Sequence, residues 1–187
     1  KDLSDKDMII EAVFEELDVK KGVFSQLNDI AKEGAVLASN TSYLDIDKIA
    51  SATDRVGDVI GLHFFSPANI MRLLEIVVPT NVKDDVVATG FQLAKILKKV
   101  PVRAGNCDGF IGNRVLENYA KAANYMMEDG TSPYDIDKAI VEFGYPMGPF
   151  QMFDLAGGDI GWADRKRKAA FRSVSYTHLR AHETIPD

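Results

Sequence analysis

DVIGLHFFSPANIMRLLEIVVPTN, residues 58–81, decides the fold. It holds two apolar runs, 58–65 and 73–78, each of strand length and rich in Val, Ile, Leu and Phe. Ser66-Pro67 ends the first run, because proline offers no N–H to a strand ladder, and Pro79-Thr80-Asn81 closes the second. Nearly continuous apolar runs belong to strands buried on both faces. Residues 7–13 (DMIIEAV) and 35–38 read the same way upstream, and 100–104 downstream. Between these strands, 18–31 sets Val19, Val23, Phe24, Leu27 and Ile30 near helical spacing, with Gly34 as the stop. A short helix over 45–52 has Ile46, Ile49 and Ala50 on one face, and a longer one covers 84–97. Strand–helix–strand alternation predicts an α/β layer on a largely parallel sheet.

The pattern changes after Gly105. Residues 108–129 read as one long helix closed by Gly130, and no strand signal follows. Ser132-Pro133 with Asp135 supplies a cap, a first-turn proline and an acidic third position, starting a helix that runs to Gly144. The turn-rich link YPMGP (145–149) precedes a shorter helical piece from Phe150. The expected division is an α/β domain over 1–104, a helical domain over 105–168 and a tail over 169–187. The tail lacks apolar periodicity, and SVSYTHLRAHET (173–184) looks like translated adapter read-through, so it is expected to be non-native or disordered. His178 and His182 stand four apart, a spacing that suits a metal on a helix, but no further ligands accompany them and no metal site is expected.

Composition narrows the class. The chain has 187 residues, 46% hydrophobic and 27% charged, which suits an ordinary globular protein. No run approaches the roughly 18 apolar residues of a membrane span. A net charge of −6 with no Lys/Arg stripe argues against nucleic acid as the partner. The single cysteine, Cys107, fits a reducing compartment. It precedes a helix start, where a thiolate is stabilised, yet it has no evident partner and reads as inert. Asn40-Thr41-Ser42 matches the glycosylation pattern, which an intracellular protein does not use. The chain opens on Lys1 with no signal-like segment, and a strand follows almost at once, so the natural N-terminus is expected to lie further upstream.

Four polar residues occupy places where chemistry is done. His63 falls near the end of a strand, where open α/β folds place their ligands. Glu75 interrupts LLEIVV, and a carboxylate there is costly unless paired. Ser42 sits in the loop after the second strand, and Asn113 in the first turn or two of the long helix. Each has a plainer reading: a satisfied core histidine, an edge-strand glutamate, a loop serine, a capping asparagine. Spacing leaves both readings open.

SNTSYLDI, GLHFFSPANIMRLLEIV, CDGFIGNRVLENY and YPMGPFQMFDLAG resemble the NAD-dependent L-3-hydroxyacyl-CoA dehydrogenases of fatty-acid β-oxidation. The similarity covers about residues 7–168, with the motifs in family order. HFFSPAN and DIGWADRKRK are similar to the branch found in bifunctional enzymes that also carry an enoyl-CoA hydratase domain. The resemblance implies the C-terminal half of a Rossmann-type dinucleotide-binding domain, then a truncated all-helical domain through which family members dimerise. It implies His63 as catalytic base with Glu75 as its partner, and Ser42 and Asn113 as contacts to the substrate's reacting end. Ser66 stands where single-function relatives often have Asn, which weakens its implied substrate contact. Glu15, Lys20 and Ser42 match positions near the nicotinamide ribose and cofactor phosphates. The implied partners are NAD, an acyl-CoA substrate and an attached hydratase domain. The implied setting is the cytoplasm, or a peroxisome or mitochondrion in a eukaryote.

Those residue types suit the reaction. Oxidising a 3-hydroxyl sends a hydride to nicotinamide while a proton leaves oxygen, and histidine, with an ordinary pKa of about 6.5, suits the proton's removal. A carboxylate on the far ring nitrogen fixes the tautomer and stabilises the imidazolium. The chain has no G-x-G-x-x-G, the turn that binds the cofactor pyrophosphate, so it is expected to be an internal fragment, inactive alone. Two other readings compete: a dehydrogenase of another small hydroxy acid or sugar acid with a similar reacting centre, and a non-catalytic acyl-CoA-binding descendant, against which the presence of both His63 and Glu75 counts.

Overall fold

The computed structural model describes residues 3–156, and the expected tail at 169–187 lies outside them. Five strands form one sheet in chain order: β1 (Met8–Glu11), β2 (Val36–Ser39), β3 (Val59–Phe64), β4 (Leu73–Val78) and β5 (Val100–Gly105). Helix α1 (Leu17–Ile30) and the short α2 (Ile46–Ala50) connect the first three strands, and α3 (Asp84–Ile96) connects β4 to β5. Three helices follow: α4 (Gly112–Glu128), α5 (Pro133–Phe143) and α6 (Pro149–Ala156).

Strands β1, β2 and β3 pair in parallel, as do β4 and β5, but β3 and β4 pair antiparallel. The sheet is therefore mixed at its centre. The reason is the short link 65–72: a parallel crossover needs a dozen or more residues, whereas an antiparallel return does not. This reversal puts His63 directly opposite Glu75 in the ladder.

Side chains alternate across the sheet and fill two apolar layers. Ile9, Leu37, Val59 and Val77 pack with Phe24 and Leu27 of α1 and with Ile46 and Ile49 of α2. Val36, Ala38, Ile60, Leu62 and Ile76 face the other way, against Val86, Val87 and Ala94 of α3. Full burial of a side chain such as Phe24 stabilises the fold by about 1.5–3 kcal/mol. Gly61 lies on the first face because nothing larger fits. A Cβ there would stand 2.6 Å from Val77 Cβ and 3.0 Å from Ile46 Cδ1.

Local signals set the helix ends. The Ser132 hydroxyl accepts from the Tyr134 N–H, Pro133 opens α5, and Gly144 closes it at φ 119°. Asp45 caps α2 by accepting from the Asp47 N–H. The Asn106 amide donates to both Asp45 and Asp47 and accepts from the Ile46 N–H, tying α2 to the end of β5. The long helix starts at Gly112 rather than near 108, because Gly109 (φ 69°) and Phe110 (φ 48°) leave the helical region. In the helical part, Asp137 is buried and accepts from the Phe150 and Gln151 N–H groups, capping α6.

Candidate active site

His63 and Glu75 share the sheet face that carries Gly61 and Val77. His63 Nδ1 lies 2.7 Å from Glu75 Oε2, and both side chains are buried. The other carboxylate oxygen, Oε1, accepts from the backbone N–H groups of Ile111 (3.0 Å) and Gly112 (2.8 Å). Those amides stand at the start of α4, where a helix has unpaired donors and a partial positive charge. The irregular turn through Gly109 and Phe110 aims them at the carboxylate. Burial pushes the Glu75 carboxyl up, but the bond from His63 and those from Gly112 and Ile111 outweigh it and hold the group below its ordinary value. Glu75 is thus an ionised partner for the imidazole.

The imidazole is packed as well as bonded. The Phe65 ring centre lies 4.4 Å from that of His63, and Phe110 lies 5.5 Å away on a second side. With Nδ1 committed to the carboxylate, Nε2 is the nitrogen left for proton transfer. Phe65 is itself held from behind: a Cβ on Gly112 would stand 2.7 Å from its ring.

A cleft of about 390 Å³ opens beside this pair, over the C-terminal ends of β1, β2 and β3. Val13, Phe14, Glu15, Ser42, Phe65 and Ser66 are among its walls. The expected contacts Glu15, Ser42 and Ser66 therefore share one opening, while His63 and Glu75 sit behind Phe65 instead of on the wall. Asn113, in the first turn of α4, donates from Nδ2 to the Ser42 carbonyl at 3.1 Å, which joins the helical part to the Ser42 turn. Lys99 Nζ donates to the carbonyls of Ala68 and Met71, and so pins the link that carries Ser66.

Lys20 is placed differently from the other expected cofactor contacts. Its side chain has no exposed surface, and Nζ is enclosed by Glu11 Oε1 (2.6 Å), the Val13 carbonyl (3.2 Å) and Glu15 Oε2 (3.4 Å). It meets the cleft from behind, through Glu15 and the Val13 carbonyl. Several residues absent from the sequence expectations also build the site. Glu11 holds Lys20, and Asn40 Oδ1 accepts from the Phe64 N–H at 2.9 Å, fixing the end of β3. The amides of Ile111 and Gly112 carry no sequence signal, since any residue supplies an N–H. Glu11 did leave one: a lone carboxylate inside an apolar strand.

The cleft is lined by apolar Val13, Phe14 and Phe65 together with polar Glu15, Asn40 and Ser42, a mixture that could hold a part-polar ring such as a nicotinamide. A glycine turn for the pyrophosphate has no counterpart in the 187-residue sequence. Among the described residues no group of His, Cys, Asp and Glu is arranged to hold a metal ion.

Known proteins match this chain in both parts. Residues 1–107 match the 3-hydroxyacyl-CoA dehydrogenase NAD binding domain, and 109–185 the 3-hydroxyacyl-CoA dehydrogenase C-terminal domain. The peroxisomal bifunctional enzyme of Cavia porcellus is 51% identical over 166 residues, covering 89% of this chain and 23% of that protein. The chain thus spans about a quarter of the length of such relatives. The crystal structure of M. tuberculosis FadB2 superposes with a TM-score of 0.85 at 36% identity, covering 92% of this chain and 62% of that one. The Escherichia coli 3-hydroxybutyryl-CoA dehydrogenase gives 0.79 at 38% identity, covering 87% and 35%.

Proposed function

The chain belongs to the 3-hydroxyacyl-CoA dehydrogenase family, and on that premise we propose that it carries the acid–base and substrate-positioning residues for NAD-dependent oxidation of L-3-hydroxyacyl-CoA to 3-oxoacyl-CoA in fatty-acid β-oxidation. The observation that carries this reading is the buried His63–Glu75 pair, anchored by two α4 amides. NAD, when bound, would supply the acceptor for the hydride that leaves the substrate's C3. His63 Nε2 takes the proton from the 3-hydroxyl, and the charge that develops on the ring is met by ionised Glu75 across 2.7 Å. Glu75 stays in place because its second oxygen is fixed to the backbone. Ser42 and the free N–H of Asn113 orient the hydroxyl and the thioester carbonyl, so that little motion separates the bound state from reaction. Glu15 lines the cofactor side of the cleft, and Lys20 supports it from behind. Ser66 borders the acyl side.

The names of the relatives support the wider setting. The reading includes an acyl-CoA partner, an attached hydratase domain and a peroxisomal rather than cytoplasmic location; dimerisation through the helical part is proposed from the family resemblance alone. It also divides the chain near Gly105, where β5 ends. The test is NADH formation from L-3-hydroxybutyryl-CoA, measured on this chain joined to the flanking segments of its relatives. The expected result is turnover of the L ester, none of the D ester, and far slower turnover of the free hydroxy acid. Faster turnover of a free hydroxy acid or sugar acid than of any CoA ester would overturn the substrate assignment.

A further inference from the structure

The buried cluster behind the cleft consists of Glu11, Lys20, Ser39, Glu15 and Thr41. Glu11 ends β1 with 4% exposure, and Lys20, Ser39 and Thr41 are fully buried. Glu11 Oε1 accepts from Lys20 Nζ (2.6 Å) and from the Val13 N–H (2.6 Å), while Oε2 accepts from Ser39 Oγ (2.8 Å). Glu15 Oε2 is the second carboxylate contact of Lys20, at 3.4 Å, beyond the Val13 carbonyl at 3.2 Å. Its other oxygen accepts from three donors of one turn: Thr41 Oγ1 (2.5 Å), Ser42 N–H (2.8 Å) and Tyr43 N–H (3.1 Å). Two carboxylates therefore divide one buried cation unequally, and the one with the weaker share grips the Ser42 turn.

We propose that Glu11 is a positioning residue for Ser42: by holding Lys20, it leaves the Glu15 carboxylate free to fix the Thr41–Tyr43 turn at the cleft. A buried ammonium left without a counter-charge is costly, and it draws on the nearest remaining carboxylate. With Glu11 neutral, Glu15 becomes Lys20's remaining anion. Nζ then moves toward Oε2 and rotates the carboxylate, and the three bonds at Oε1 stretch together. Ser42 shifts with the turn, as does the carbonyl that Asn113 holds. The consequence for turnover rests on Ser42 being a substrate contact, as proposed above, whereas the effect on the turn itself does not.

Amide hydrogen exchange on the full chain, read residue by residue, tests this without any assay of activity. In Glu11→Gln, the Ser42 and Tyr43 amides are expected to exchange about tenfold faster or more, relative to ladder amides such as those of Leu37 and Ile60. Adding Lys20→Met removes the cation that competes for Glu15, so the double variant is expected to return those two amides toward their original protection. Should Glu11→Gln fail to fold, Ser39→Ala weakens the same carboxylate's hold more gently and is expected to loosen the same amides by a smaller factor. A uniform change across the sheet, or a double variant as loose at Ser42 as the single one, would overturn the proposal. If exchange behaves as expected while Ser42→Ala turns over acyl-CoA normally, the positioning device stands and the substrate role of Ser42 falls.

Discussion

Replacing Glu75 by Gln keeps the side chain's shape, so the effect comes from two losses: the negative charge that meets the imidazolium and the hydrogen-bond polarity that sets the ring's tautomer. The glutamate now accepts on both sides: two backbone N–H groups at Oε1 and the His63 ring at Oε2. A glutamine must present its NH₂ to one of them. Keeping its oxygen on the α4 amides turns the NH₂ toward Nδ1 and forces the imidazole into the other tautomer, with the proton on Nε2, where it no longer acts as a base. Reversing the amide instead sets its NH₂ against two N–H donors at the helix start. The same carboxylate-to-amide change beside a catalytic histidine in serine proteases costs about 10⁴-fold through the wrong tautomer. The expected loss here is about 10²–10⁴-fold in kcat, or about 3–5.5 kcal/mol of barrier. Stability should fall by about 1.5–3 kcal/mol, the range for a hydrogen bond to a charged group. The assay pairs steady-state NADH formation, on the chain joined to the flanking segments of its relatives, with urea unfolding. KM should change little because Glu75 is buried and not on the cleft wall. A kcat within about threefold of wild type, with the fold intact, would refute the tautomer reasoning.

Two further outcomes follow from the same geometry. Gly112→Ala sets a Cβ 2.7 Å from the Phe65 ring and 3.7 Å from Glu75 Oε1, so it should cost about 1–3 kcal/mol in urea unfolding and lower kcat as well, despite alanine's better helix propensity. Because folding holds the Glu75 carboxyl below its ordinary value of 4.5, its contribution to stability is fully present above that value and is lost as pH falls through the lowered one. The stability gap between wild type and Glu75→Gln should therefore close as pH falls below about 4.5, and a gap that widens there would contradict the direction of the shift.

Much of the architecture was legible in the sequence. The apolar runs at 58–65 and 73–78 are strands, and Ser132-Pro133 does begin a helix, because burial on both faces and capping leave local marks. The antiparallel sense of β4 left a mark too, in the shortness of residues 65–72, but strand alternation alone suggested parallel neighbours. The start of α4 was misplaced because the left-handed conformation of Phe110 is set by packing against the core and not by its residue type. Among the site residues, Glu75 was recognisable from the cost of burying an unpaired carboxylate. Its anchors at Ile111 and Gly112 lie more than thirty residues away and use only backbone, so no side chain announced them. Lys20 was expected near the cofactor, yet its ammonium is enclosed by Glu11 and Glu15, a partnership visible only once β1 and α1 are folded together.

The central claim is that His63 and Glu75 work as one acid–base unit. A double-mutant cycle on kcat/KM for His63→Gln and Glu75→Gln, in the NAD-dependent oxidation of an L-3-hydroxyacyl-CoA, tests it most directly. His63→Gln alone should cost about 10²–10⁴-fold, and the double variant should be no more than a few-fold worse than that. Losses that multiply, so that the double variant falls by the product of the two single effects, would mean that the residues act independently and that the 2.7 Å bond between them is structural only.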